Sequence, residues 1–195
     1  MAMNRLSRVA VVLFTGFFMA FSPNAHAENA LNINFLYSQQ NMEKWQNELK
    51  ELPAYGIEGD IAMGSFPVNL WLGVSSGKDS GKSVSHGSTV NVDASHTEMY
   101  VGFRRYMMIG SFFAPYVGAA VSTVKAEVSG NVSGASSSSS GTSTGYLLNA
   151  GLLLRFGNIN IGADFRALSG TSLGLAEAYS NANYSQMGIV LGLNF

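Results

Sequence analysis

Eight segments of this chain alternate apolar with small or polar residues at a period of two, and nothing else constrains its fold as much. A period of two sends successive side chains to opposite faces of a strand, so each segment reads as a strand with one apolar face. The clearest is Tyr184–Phe195, where Met187, Ile189, Leu191, Leu193 and Phe195 oppose Gln186, Gly188, Val190, Gly192 and Asn194. Ile159–Ser169, Tyr146–Phe156 and Phe113–Val124 repeat the pattern, with Leu147 and Leu153 blurring the middle one. Upstream, His96–Tyr106, Val68–Ser76, Tyr55–Gly64 and Leu31–Ser38 complete the set. The count is even, as in single-chain bacterial outer-membrane barrels.

The connections alternate too. Ser65-Phe66-Pro67, Met107–Phe112 and Gly157-Asn158 are short, whereas Gln39–Ala54, Gly77–Ser95, Lys125–Gly145 and Gly170–Asn183 are long. Transmembrane barrels have short periplasmic turns and longer extracellular loops, which puts both termini on the periplasmic side.

Alternation alone does not say which face meets the surroundings, since a soluble barrel alternates with its apolar face inward. Composition decides it. Charged residues are 12% of the chain and Gly occupies 22 positions. A water-facing sheet carries many Lys and Glu, while small residues suit the narrow interior of eight strands. Aromatic residues also gather at the periplasmic strand ends (Phe66, Phe103, Phe113, Phe156, Phe195), with Tyr37 and Tyr55 at the opposite ends. That is the girdle of a lipid-facing band. The expected fold is all-β: an eight-stranded antiparallel transmembrane barrel, apolar side out.

The N-terminus fits export. Arg5 and Arg8 precede a short apolar run, Val9–Phe21, and then Ala25-His26-Ala27. Charged start, short apolar centre and A-x-A end predict a signal peptide over residues 1–27 and a barrel domain over 28–195. The apolar run is too short to span a bilayer, which takes ~20 residues. The absence of Cys excludes disulfides, Cys-ligated zinc and a thiol nucleophile, and a net charge of −1 gives no reason to expect nucleic-acid binding.

With its export signal, eight strands and a last strand ending Gly192-Leu193-Asn194-Phe195, the chain resembles small Gram-negative outer-membrane barrels of the OmpA, OmpX, OmpW and opacity-protein type. The run Pro115-Tyr116-Val117-Gly118-Ala119 is similar to a strand common in that group. The resemblance implies that Ile189, Leu191, Leu193 and Phe195 form the signal read by the barrel-assembly machinery. The expected barrel is a monomer without a cofactor, in contact with outer-membrane lipid. Four sizeable loops over a plugged lumen predict a structural or surface-interaction role in which the loops meet lipopolysaccharide or a host or phage surface ligand.

On this register Glu58, Asp60, Glu98, Arg104, Arg155, Asp164 and Arg166 point into the lumen. Four acids against three bases predict a buried ion-pair network that plugs the barrel, because unpaired charge there is expensive. A narrow path for small or hydrophobic solutes, as in OmpW-like members, is the alternative. His86 and His96 lie among Ser, Asp93 and Glu98, which raises a lipid A-modifying enzyme as a second alternative. The His-x-Ser-Asn pattern of the deacylases is missing, so the chain reads as a non-enzyme, and two His fall short of a zinc site. In the first long loop Met42, Trp45, Leu49 and Leu52 fall at helical spacing before Pro53, predicting a short amphipathic helix. Placing that helix in the periplasm instead would leave seven strands, an odd count. The Ser/Gly/Thr tract around Ser136–Ser140 reads as a flexible polar loop.

Overall fold

The computed structural model describes residues 31–43, 51–64, 66–85, 88–132, 135–173 and 180–195. They form eight strands: β1 (Leu31–Met42), β2 (Glu51–Ala62), β3 (Asn69–Ser85), β4 (Ser88–Tyr106), β5 (Phe113–Val132), β6 (Ala135–Phe156), β7 (Ile159–Ser169) and β8 (Tyr184–Asn194). Each pairs antiparallel with its sequence neighbours, and β1 pairs with β8 to close the barrel. Closure leaves no sheet edge, which is what allows strands to cross a bilayer. The two-residue link between β6 and β7 begins at Gly157 with φ of 61°, a left-handed conformation that glycine reaches without steric penalty.

The apolar stripes face outward. Phe35 lies opposite Ile57 on β2 and Leu191 on β8, and Ile57 in turn lies opposite Val74. These side chains are exposed, as are Phe66, Phe103, Phe113, Phe156 and Phe195 at the periplasmic end. On the opposite ends Tyr37 and Tyr55 pack ring to ring at 5.1 Å. Meanwhile Trp71, Arg104, Arg166 and Glu98 are at most 1% exposed. A soluble protein buries its large apolar side chains and leaves charge outside; here the distribution is inverted.

The strands fall into two length classes. β1, β2, β7 and β8 have 11 or 12 residues, close to the ~9–11 needed to cross the hydrocarbon. β3 to β6 have 17, 19, 20 and 22. The excess comes from segments expected to be loops: β3 and β4 stay paired out to Ser85–Ser88, and β5 and β6 out to Val132–Ala135. The Ser136–Ser140 tract is therefore strand, paired with Glu127–Asn131, and not a flexible loop. Above the membrane neither face must be apolar, so a ladder of Ser, Thr and Gly carries no amphipathic period to read.

The first-loop helix is corrected at both ends. Met42 is the last residue of β1 and Leu52 the second of β2, both on the lumen face and fully buried. The ladder continues through Gln40–Leu52 and Asn41–Glu51, so neither residue belongs to a helix. Trp45 and Leu49 lie outside the described residues. The two ends of the helical pattern, Met42 and Leu52, are inward strand residues flanking the connection.

Candidate functional site

The lumen holds three layers. At the extracellular end Met42, Leu52, Ala94, Val124, Leu173 and Ala182 form part of a buried apolar cluster. At the periplasmic end Leu36, Ala114, Leu153 and Val190 pack with Tyr116, Tyr106 and Met108. Between them lies the charge.

Glu58 on β2 is the hub of the charged layer. Arg104 donates to both of its oxygens, Nη1 to Oε1 at 2.7 Å and Nη2 to Oε2 at 3.1 Å. Such a two-bond fork matches guanidinium to carboxylate geometrically. Arg166 Nη2 donates at 2.6 Å, Trp71 Nε1 at 2.9 Å and the Tyr100 hydroxyl at 3.0 Å. Asp60 accepts from Arg104 Nη1 at 3.0 Å and from the Tyr106 hydroxyl at 2.8 Å. Asp164 accepts from Arg166 Nε, the Tyr116 hydroxyl and Asn149 Nδ2, each at 2.6 Å. Asn149 closes the ring by accepting from Arg104 Nε at 2.9 Å. Arg104 also lies between two ring faces, 4.2 Å from the Trp71 centroid and 4.7 Å from that of Tyr116. Stacked and hydrogen-bonded in this way, a guanidinium tolerates burial that a lysine ammonium would resist.

Of the seven lumen charges, the structure brings five together: Glu58, Asp60, Arg104, Asp164 and Arg166. Two stand apart. Arg155 is half-buried, its guanidinium 5.3 Å from the Tyr106 ring, with Nε unpartnered among the described residues. Glu98 is fully buried and is held by hydroxyls: Ser75 at 3.2 Å, Tyr184 at 2.6 Å, and Ser122.

His96 also faces the lumen, 1% exposed and 6.3 Å from the Tyr184 ring. Neither ring nitrogen has a hydrogen-bond partner among the described residues. A hydrolytic histidine must hold both a nucleophile and an orienting acid, and His96 holds neither and faces away from the outer leaflet. His86 lies outside the described residues.

The parity that turns the charges inward does not pick out their partners: Trp71, Tyr100, Tyr116, Asn34, Asn149, Tyr106, Tyr184, Ser75 and Ser122. A signal existed. An inward tyrosine must find a partner for its hydroxyl, and the cross-strand neighbours of Tyr100 and Tyr116 are Gly73 and Gly151. A Cβ at either glycine would stand 2.4 Å from the tyrosine hydroxyl oxygen, so these glycines are the space into which the rings fold.

Residues 10–195 match the outer membrane protein beta-barrel domain family. The chain belongs to that family, and its place is the bacterial outer membrane. Among solved structures it is similar to Ail, the attachment invasion locus protein of Yersinia pestis, solved with the heparin analogue sucrose octasulfate. There the identity is 16%, coverage is 85% of this chain and 97% of the other, and the TM-score is 0.57. The Neisserial surface protein A matches at 15% identity over 85% and 96% of the two chains, with a TM-score of 0.58. OprG of Pseudomonas aeruginosa matches at 12% identity over 87% and 97%, with a TM-score of 0.57. At these identities the likeness is one of fold. No curated protein matches the chain significantly.

Proposed function

We propose that this protein is a solute-tight outer-membrane barrel that acts through its outer wall and extracellular ends rather than through its lumen. The observation that carries this reading is the charged layer, in which Glu58, Asp60, Arg104, Asp164 and Arg166 are at most 2% exposed and paired across the barrel axis. A solute would have to separate those pairs, and breaking a buried ion pair costs ~3–5 kcal/mol. The apolar clusters on both sides of the layer support the same reading. What remains for interaction is the wall that β3–β6 raise above the membrane, suited to contacts with lipopolysaccharide or with a host or phage surface.

Biogenesis follows the same reading: residues 1–27 are removed on export, and the assembly machinery reads Ile189, Leu191, Leu193 and Phe195. These four side chains lie on the exposed face of the C-terminal segment. Planar-bilayer recording tests the function. The purified barrel is expected to give no stable conductance, and Arg104→Ala with Arg166→Ala is expected to open one. A steady conductance from the unmodified chain would favour a channel instead.

A further inference from the structure

We propose that the outer wall spanning β1 to β5 is a seat for one phosphorylated glycolipid of the outer leaflet, with an acyl chain in a groove and a phosphate at Lys125 and Lys78. The proposal deepens the surface-interaction reading and rests on it for which end of the barrel faces outward.

The groove begins with a missing side chain. On β2 the outward positions run Tyr55, Ile57, Gly59, Ile61, and Gly59 leaves a notch in the apolar band. Its cross-strand neighbours are Ile33 and Leu72. From there the notch continues past Val74, Met99 and Val101 to Thr123 on β5 as an open groove of about 580 Å³. Spanning five strands at ~4.8 Å spacing gives a length of about 19 Å. One leaflet of the hydrocarbon core is about 15 Å thick, so an obliquely laid acyl chain fits that length. The groove climbs from the lower part of β1 towards the extracellular part of β5, because the strands are tilted.

Its upper end meets positive charge. Lys125 is the next outward residue after Thr123 on β5, and Lys78 stands on the other side of β4, its partners being Thr97–Lys125 and Lys78–Ser95. Lys78 lies two residues beyond Ser76, the β3 position level with Lys125, so two strand spacings across and two residues along separate the lysines by about 12 Å. Lys78 has no ion-pair partner among the described residues. Lys125 has only a loose one, Glu127 at 3.7 Å, with both side chains more than half exposed. Exposed pairs of that kind contribute little, so the lysine is free to take a phosphate. From the level of Lys125 upward the outward face of β6 carries hydroxyls, Thr142, Ser140 and Ser138, with Ser129 on β5 opposite Ser138 and Glu127 on β5 between Ser140 and Ser95 of β4. Asp93 interrupts this face but accepts from the Ser80 hydroxyl.

From the hydrocarbon outward the wall therefore reads apolar groove, lysines, hydroxyls. A lipid built of acyl chains, phosphate and sugar has the same order. A glycerophospholipid supplies the first two only, and a soluble phosphosugar the last two only.

The test uses the full chain, extracted from outer membranes in mild detergent and mixed with lipid A, dephosphorylated lipid A or phosphatidylglycerol for native mass spectrometry. Lipid A is expected to be retained above both others. Lys78→Glu and Lys125→Glu are each expected to lower its retention at least about fivefold, the effect of one basic residue near an anionic lipid surface. Gly59→Leu should lower it by filling the groove, and its fold should survive, since a Cβ there meets only the Asn32 carbonyl at 3.8 Å. Equal retention of all three lipids, or unmodified retention in both lysine variants, would overturn the proposal. Because the lysine variants leave the lumen untouched, that outcome is independent of the conductance measurement.

Discussion

Two buried carboxylates in the same lumen are handled in opposite ways. Glu58 receives two guanidinium groups, an indole and a phenol, on a layer that ties β1 through β7 together. Glu98, also on an inward strand position, receives three hydroxyls and no base among the described residues. The first arrangement is an ion network whose members depend on one another; the second is a single charge solvated by fixed dipoles. Removing one partner of a buried pair leaves an uncompensated charge, whereas removing one hydroxyl leaves two others in place. The charged layer is therefore the mechanical lock of the barrel, and the Glu98 layer is a local polar site beneath an apolar cap.

That contrast can be broken by measurement. Arg104→Ala takes from Asp60 its one ion-pair partner among the described residues, from Glu58 one of two and from Asn149 a donor, and is expected to cost ~3–5 kcal/mol, read from urea unfolding of the barrel in lipid vesicles. A cost below ~1 kcal/mol would mean that the ionic layer is replaceable packing. Tyr184→Phe removes one donor from Glu98 and is expected to cost ~1.5–3 kcal/mol in the same assay. If it matched Arg104→Ala, the two carboxylates would be equivalent and the distinction would fall. At the far end of the scale, Ser138→Ala on the exposed upper wall should stay within ~0.5 kcal/mol, since it touches neither layer.

Much of this arrangement was readable from single residues. Phe35, Ile57, Leu191 and Ile161 announce a lipid-facing stripe because the bilayer demands an apolar side chain at every second position. The inward direction of all seven charges follows from the same parity. The extracellular half was less readable, since water makes no such demand. Thr142 and Ser140 are as acceptable in a loop as in a strand, and only pairing with Lys125 and Glu127 makes them β6. Met42 and Leu52 misled for a related reason: two inward residues ten positions apart fit a helical spacing as well as two strand ends.

By itself the sequence determined the number of strands and which of their faces is apolar, because parity is a local property that the solvent reads directly, whereas connection length misread the paired upper halves of β3–β6 as loops. Which charges meet was decided only by closure of the barrel. Arg166 reaches Glu58 across 108 residues of chain, and the stagger between strands, which no local pattern records, sets their common height. That same stagger leaves Glu98 among hydroxyls and lines up Gly59, Val74 and Thr123 as one groove on the outer wall.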